Sequence, residues 1–325
     1  MPVVLEHSSV GRRVSVRRRR VGADTGPPYT DLVGELVRLD DLTATIRTRT
    51  GEQRITLADV VAARVVAASR AEVLDLERIC TAGWRAAEIL DCDGWLLRAD
   101  HGWTSRANSA LPLGRSRRSL DDQLADVRRF YSDRGLPAQI QVPSPGRDLL
   151  DAELERRGWR VLVTSLVLSS PLTERVTAAA DAADRRRPAV PVTLSTAPDA
   201  AWQRGYHARD GVLSASALDL LARHDQVRFA RVEADSDSVG IARGVVDEGW
   251  LGLFALEVAP SARRRGVAAA LVGALASWGR EAGAVRSYLQ VEADNAPATA
   301  FWHSLGFTEH HAYRQRREPA AVRDD

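Results

Sequence analysis

Leu251-Gly252-Leu253-Phe254-Ala255-Leu256-Glu257-Val258, closed by Ala259-Pro260 and followed by Arg263-Arg264-Arg265-Gly266-Val267-Ala268, reads as an apolar strand, a stop and a basic turn that runs into a helix. Val267, Leu271, Ala274, Leu275 and Trp278 share one face of that helix. Strand, tight arginine- and glycine-containing loop, helix N-terminus: this order makes an anion site. Unpaired N–H groups and the positive end of the helix dipole converge there, and arginine adds long-range attraction. Gly266 lets a ligand approach the backbone and Ala268 keeps the first helical turn small, so the expected ligand carries phosphates, as a pyrophosphate does.

The chain around this stretch has 325 residues, enough for two or three domains, and its 45% apolar and 27% charged residues are a globular profile. No apolar run approaches the roughly 18–20 residues of a membrane span. Met1 to Val10 lacks a basic stretch followed by an apolar core, so a cytoplasmic protein without a secretory signal is expected. Cys80 and Cys92, the two cysteines, make neither a disulfide framework nor a four-cysteine zinc site. All 45 basic residues are arginine. The missing lysine excludes a P-loop NTPase and any Schiff-base enzyme. With 43 acidic residues the net charge is +2, so neither nucleic acid nor a membrane surface is an expected partner.

Residues 8–66 read as a small all-β unit. Val14 and Val16 alternate with polar neighbours, and Leu32–Leu39, Thr43–Arg49 and Arg54–Leu57 add short runs between the turn signals at Gly22–Pro28, Asp40-Asp41 and Gly51-Glu52. So many short strands suggest an SH3-like barrel over 1–70, because closure protects strand edges. Arg17–Arg20 reads as a solvated strand end or loop, with no neighbouring aromatics to stack bases. From Ala71 helices and strands alternate: helix 71–87, two strands within 94–113 joined at His101-Gly102, a helix capped by Ser119 and stopped by Gly135, strand 138–142, helix 148–157, strand 161–168. Residues 171–191, with Pro171, Arg185–Arg187, Pro188 and Pro191, read as a linker, 192–318 as a second α/β unit and 319–325 as a polar tail. Leu154–Trp159 and Trp302–Phe307 end the two units alike, with a glycine at the helix stop and an aromatic opening the next strand.

The motif Arg263-x-x-Gly266-x-Ala268, preceded by Leu256–Pro260, resembles the acyl-CoA loop of the GNAT superfamily of N-acetyltransferases. Asn295-x-x-Ala298-x-x-Phe301-Trp302-x-x-x-Gly306-Phe307 is similar to the same superfamily's next strand–helix–strand signature. Gly94–Arg98 with Gly102-Trp103-Thr104-x-Arg106-Ala107-Asn108-Ser109 resembles the first half of a subset of bacterial acetyltransferases. That half has Leu113–Arg118 where the loop would be. The resemblance therefore implies an α/β (α+β) GNAT fold with a mixed central sheet, in tandem, residues 71–170 forming a degenerate unit and 192–318 the unit that binds acetyl-CoA as co-substrate. It places the pyrophosphate on the backbone of Arg264, Arg265, Gly266, Val267 and Ala268, with Arg263 beside it. The pantetheine arm then runs near Val258, whose N–H bonds the thioester carbonyl and stabilises the oxyanion. Asn295 bonds the pantetheine amides from the other side, and is equally a helix cap.

Two departures from the superfamily pattern bear on catalysis. Trp302 stands where a tyrosine can return a proton to the thiolate, and indole is no practical proton source; Tyr288 and Tyr313 are substitutes to consider. Gly252 stands where some members place a glutamate six residues before the Val258 position, which leaves Glu257 and Glu292 as candidate bases. Glu257 points to the face opposite Leu256 and Val258. His303 lies about 100° round the helix from Trp302, and His310 and His311, adjacent on a strand, are expected on opposite faces and not to share a metal ion. Trp84, Trp95, Trp103, Trp159 and Trp202 read as core or pocket wall, with core the default. The reading is an enzyme that transfers acetyl to an amine, small molecule or protein, by direct attack in a ternary complex, as a monomer or homodimer. A catalytically reduced acyl-CoA-binding regulator, or a nucleic-acid-associated protein that uses the barrel, are the alternatives.

Overall fold

The computed structural model describes residues 5–6, 9–20, 27–172, 190–206, 212–234 and 237–319. Most of the expected 171–191 linker, tail residues 320–325 and turn residues 21–26 lie outside them. The chain divides into two compact units, Met1–Ala68 and Ser69–Asp325.

In the first unit β1 (Arg13–Arg19), β2 (Tyr29–Leu39), β3 (Thr43–Thr48), β4 (Gly51–Thr56) and β5 (Val60–Val65) pair antiparallel in the order β4-β3-β2-β1-β5. The alternation read at Val14 and Val16 is a core face: both are fully buried with Leu36, Ile46 and Ile55. Three residues of the arginine run end β1. Arg17 grips Asp31, directly opposite on β2, through Nε at 2.8 Å and Nη2 at 2.9 Å.

The second unit opens with α1 (Arg70–Gly83), β6 (Glu88–Cys92), β7 (Trp95–Ala99), β8 (Ala110–Pro112), α2 (Leu120–Ser132), β9 (Gln139–Ser144), α3 (Asp148–Arg156) and β10 (Arg160–Pro171). It continues with β11 (Thr193–Ser195), α4 (Ala200–Arg204), α5 (Ala215–Ala222), β12 (Val227–Ala234), β13 (Asp237–Asp247), β14 (Trp250–Val258), α6 (Val267–Glu281), β15 (Arg286–Glu292), α7 (Ala296–Ser304) and β16 (Thr308–Arg317). Capping is as the sequence suggests: Ser69 and Glu72 form a reciprocal capping box on α1, and Ser119 caps α2. Strand β6 has no counterpart in the sequence reading. Its Glu-Ile-Leu-Asp-Cys is an outer strand without alternation, and only the Asp93-Gly94 turn, with φ of 50° and 83°, marks its hairpin.

All eleven strands form one sheet, β11-β12-β13-β14-β15-β10-β16-β9-β8-β7-β6. The last strand of each α/β half is placed against the other half. β10 sits between β15 and β16, and β16 sits between β10 and β9. Helix α6 covers one face over Leu251, Leu253, Leu289 and Phe307. Helix α1 lies over the other, with Trp84, Phe229, Ile241, Phe254, Tyr288 and Tyr313 beneath it. A third core around Trp95, Leu124, Tyr131 and Trp159 belongs to the first half.

Candidate active site at the β14–β15 fork

Strands β14 and β15 pair in parallel from Trp250 opposite Arg286 to Leu253 opposite Leu289, and no further. Beyond that point β14 continues with β13 and β15 with β10, so the two strands open into a fork. A bulge in β14 sits at the opening, where Ala255 has φ 50°. It resets the alternation: Phe254 and Ala255 both face the α1 side, while Leu256 and Val258 pack against the α6-side core. Glu257, opposite Ile241, is turned to the α1 side as expected.

Ala259 N–H donates to Val239 O at 2.9 Å, which makes Val258 and Gly240 a non-hydrogen-bonded pair. In such a pair the backbone groups point away from the partner strand, so Val258 presents its N–H to the fork. Its carbonyl accepts a bond from Arg263 Nε at 3.3 Å. The turn then closes through left-handed Arg264 (φ 58°) and Gly266 (φ 86°) into α6. Arg263, Arg264 and Arg265 are exposed, Ala268 is half-buried and Val267 is in the core. Helix α6 has no side-chain cap and no acidic residue in its first turn. Every other α-helix among the described residues has one or the other. Its N-terminal N–H groups and dipole are therefore left for something outside the helix.

Across the fork, Asn295 caps α7, its Oδ1 accepting from Ala298 N–H at 3.1 Å, and its side chain is exposed. Trp302 is 5% exposed, wedged between Phe301 and Phe307 with ring centroids 5.1 and 5.2 Å away. Glu292 ends β15 on the α1 face, opposite Ser165. The two candidate carboxylates thus stand on one face, one on each prong. A glutamate at Gly252 has no room: a Cβ there would lie 2.6 Å from the Phe254 ring and 2.7 Å from the Tyr288 hydroxyl. Burial pushes the Tyr288 hydroxyl far above its ordinary range, so it holds its proton. Tyr313 is committed to Arg106, whose Nε donates to its hydroxyl at 3.0 Å.

On the α1 side of the fork lies an aromatic group that includes Trp84 and Trp103, read from the sequence as core or pocket wall. Phe254, first past the last β14–β15 pair, meets Trp84 at 5.3 Å, and Trp103 lies 6.2 Å from Trp84 and 6.0 Å from Tyr206. The Gly102–Ser109 motif has a physical role here. Asn108 accepts from Asp100 and Gly102 N–H at 2.7 and 3.0 Å and donates to the Asp100 and Thr104 carbonyls at 3.0 and 2.9 Å, fixing the loop that presents Trp103 and Arg106. Sequence reasoning missed Arg106 and Arg243 because each meets a partner far along the chain, Tyr313 at 207 positions from Arg106 and Gly83 at 160 from Arg243.

The expectation that His310 and His311 face opposite sides is overturned. A bulge opposite Val167 and Leu168 inserts His310, and the two Nδ1 atoms are 2.8 Å apart. His311 Nε2 is 2.8 Å from Glu77 Oε1. His303 faces the strand after its helix, Nδ1 2.9 Å from Phe307 O. Cys80 lies on the α1 face, but burial pushes its thiol well up, so no thiolate is available there to carry an acyl group. No helix of the described residues is long and apolar enough to cross a membrane, and none of their His, Cys, Asp and Glu side chains cluster as a metal site.

A splayed parallel pair, a bulge beside it and an uncapped basic helix start define the GNAT class of acetyltransferases. Solved structures share the fold. A GCN5-related N-acetyltransferase from Kribbella flavida matches with TM-score 0.54 at 15% identity, over 75% of this chain and 96% of its own. A tandem GNAT protein from the clavulanic acid biosynthesis pathway matches with TM-score 0.50 at 14%, over 80% and 92%. Residues 70–316 match the family described as "Probable histone acetyltransferase Rv0428c C-terminal", and residues 8–67 match its N-terminal Sm-like domain. The chain is 33% identical to the protein of that name from Mycobacterium tuberculosis over 94% of both chains. It is also 28% identical to the uncharacterized N-acetyltransferase YobR of Bacillus subtilis, over 76% of this chain and 99% of that one. The chain belongs to the Rv0428c acetyltransferase family and is a GNAT-type acetyltransferase.

Proposed function

We propose that the chain transfers acetyl from acetyl-CoA to an amine by direct attack in a ternary complex. The uncapped N-terminus of α6 behind the Arg263–Arg265 turn carries this reading, because it offers the backbone donors and positive field that a pyrophosphate takes. The pyrophosphate would sit on Arg264 to Ala268. The pantetheine arm would lie in the fork, with Asn295 at its far side and Trp302 as apolar backing. The amine, deprotonated by Glu257 or Glu292 directly or through water, attacks the thioester carbonyl, and charge develops on an oxygen at the Val258 N–H. The CoA thiolate is a good leaving group and departs without tyrosine assistance.

Calorimetric titration with acetyl-CoA in moderate salt tests the donor. Micromolar binding is expected, and absence of binding would remove acetyl-CoA from the site. The reduced-regulator reading gains weight from Trp302, buried where a proton donor would stand. Release of CoA with any amine would exclude it.

A further inference from the structure

On the acceptor side of the fork lie two guanidinium groups without a carboxylate partner among the described residues. Arg243 is 1% exposed. It donates through Nε to Leu221 O at 2.8 Å and through Nη1 to Gly83 O at 2.7 Å, and lies 5.6 Å from the Trp84 ring centre and 5.4 Å from that of Phe254. Arg106 is half-buried and lies 5.9 Å from the same Trp84 ring. Among the described residues its hydrogen-bond partner is the Tyr313 hydroxyl, on Nε, which leaves both Nη groups of the fork unused. Arg316, equally buried, is instead paired with Asp151 at 2.6 Å and with Glu155 at 3.2 Å. An unpaired guanidinium is costly to bury. Burial holds Arg243 down, to about 10. For Arg106, burial opposes the charge, while Tyr313 and the more distant Glu292 outweigh it and raise the group.

On the same face, three buried polar atoms have no hydrogen-bond partner among the described residues: Trp84 Nε1, Ser165 Oγ and Gln290 Oε1. Ser165 lies between Tyr313 and Glu292 in register across β16, β10 and β15, and Gln290 is opposite Val167, one cross-strand row away. Arg106 and Glu292 interact electrostatically without forming an ion pair among the described residues. A cation and an anion held apart, with the Ser165 hydroxyl in register between the cation's partner Tyr313 and the anion, are complementary to a ligand that carries both charges.

We infer that the acceptor is an amine that also bears a carboxylate, an amino acid in chemical class, with the Arg106 fork gripping the carboxylate and the amine turned toward Glu292 and the fork between β14 and β15. The planar guanidinium matches a carboxylate through two parallel bonds. Positioned by Tyr313 and beside Trp84, it is pre-organised for that contact. This inference rests on the acetyl-CoA reading of the fork.

The test uses the full chain with acetyl-CoA and follows CoA release with the twenty L-amino acids, their primary amides and a lysine-containing histone-tail peptide. At least one amino acid is expected to exceed its own amide at least tenfold in kcat/KM. Arg106→Gln should pull that ratio toward one, with acetyl-CoA affinity reporting that the fold is intact. The acid-against-amide comparison needs no variant, so it decides the matter even if Arg106→Gln does not fold. Amides used as well as acids, turnover of the peptide alone, or an acid-to-amide ratio unmoved in folded Arg106→Gln would overturn the inference. Acetyl-CoA binding with no amino acid turned over would overturn it too, and leave the donor site standing. If acetyl-CoA fails to bind, the donor reading fails and this inference with it.

Discussion

Gly266 shows how little material the proposed donor site needs. Its φ of 86° is left-handed, and a Cβ there would meet nothing within 4 Å. A larger side chain would point into the space a pyrophosphate is proposed to fill. Gly266→Glu adds bulk and negative charge at that place, so acetyl-CoA affinity should fall about tenfold or more while thermal unfolding remains cooperative. Unchanged affinity in calorimetry would detach the phosphate from this loop. His310 offers a pH-dependent prediction. Burial first, then His311 and Arg286, hold its pKa at about 3, against the opposing pull of Glu72. Unfolded imidazole takes its proton near 6.5. Between those values the unfolded chain binds more protons, so this residue's contribution to stability falls as pH falls from about 6.5 toward 3. His310→Gln removes that burden. The melting temperature of the variant should rise relative to the parent between pH 7 and pH 4; a constant difference would refute the assignment.

Elements here were legible where local chemistry repeats a rule. The Ser69–Glu72 capping box satisfies two donors of α1 reciprocally, with Glu72 Oε2 2.7 Å from Ser69 N. Ser69→Ala should cost about 1 kcal/mol, readable as a lowered urea midpoint at unchanged slope. The strand over 251–258, the helix from Val267 and the Asn295 cap were equally plain, since apolar periodicity and capping residues act within a few positions. The two bulges were not. The Ala255 bulge turns Phe254 and Ala255 to one face, and the His310 bulge brings two imidazoles together. Alternation read along one strand presumes regular pairing, and a bulge is decided by the neighbouring strand.

Across the second unit, the exchange of last strands makes the two α/β halves depend on each other. β9 has β16 as its neighbour, and β16 belongs to the far end of the chain. A fragment ending at residue 172 keeps β9 without that partner, and leaves the β10 backbone unpaired on both sides. Residues 69–172 expressed alone should therefore aggregate or lack cooperative unfolding, whereas 69–325 should unfold in a single transition. Independent, reversible folding of the short fragment would show that the exchange is dispensable. By itself the sequence determined the local parts: a GNAT fold, the strand, turn and helix start on which the donor site is proposed, and the absence of any lysine-based covalent route. Those rest on contiguous residues, because a helix start, a strand and a turn are local structures. Only the tertiary structure decided what surrounds the proposed acceptor. It brought Trp84 and Arg106 from the first half against Arg243, Phe254 and Tyr313 from the second. Such a site depends on cross-strand neighbours set by sheet order and register, and nothing local in a sequence encodes which distant strand will lie beside it.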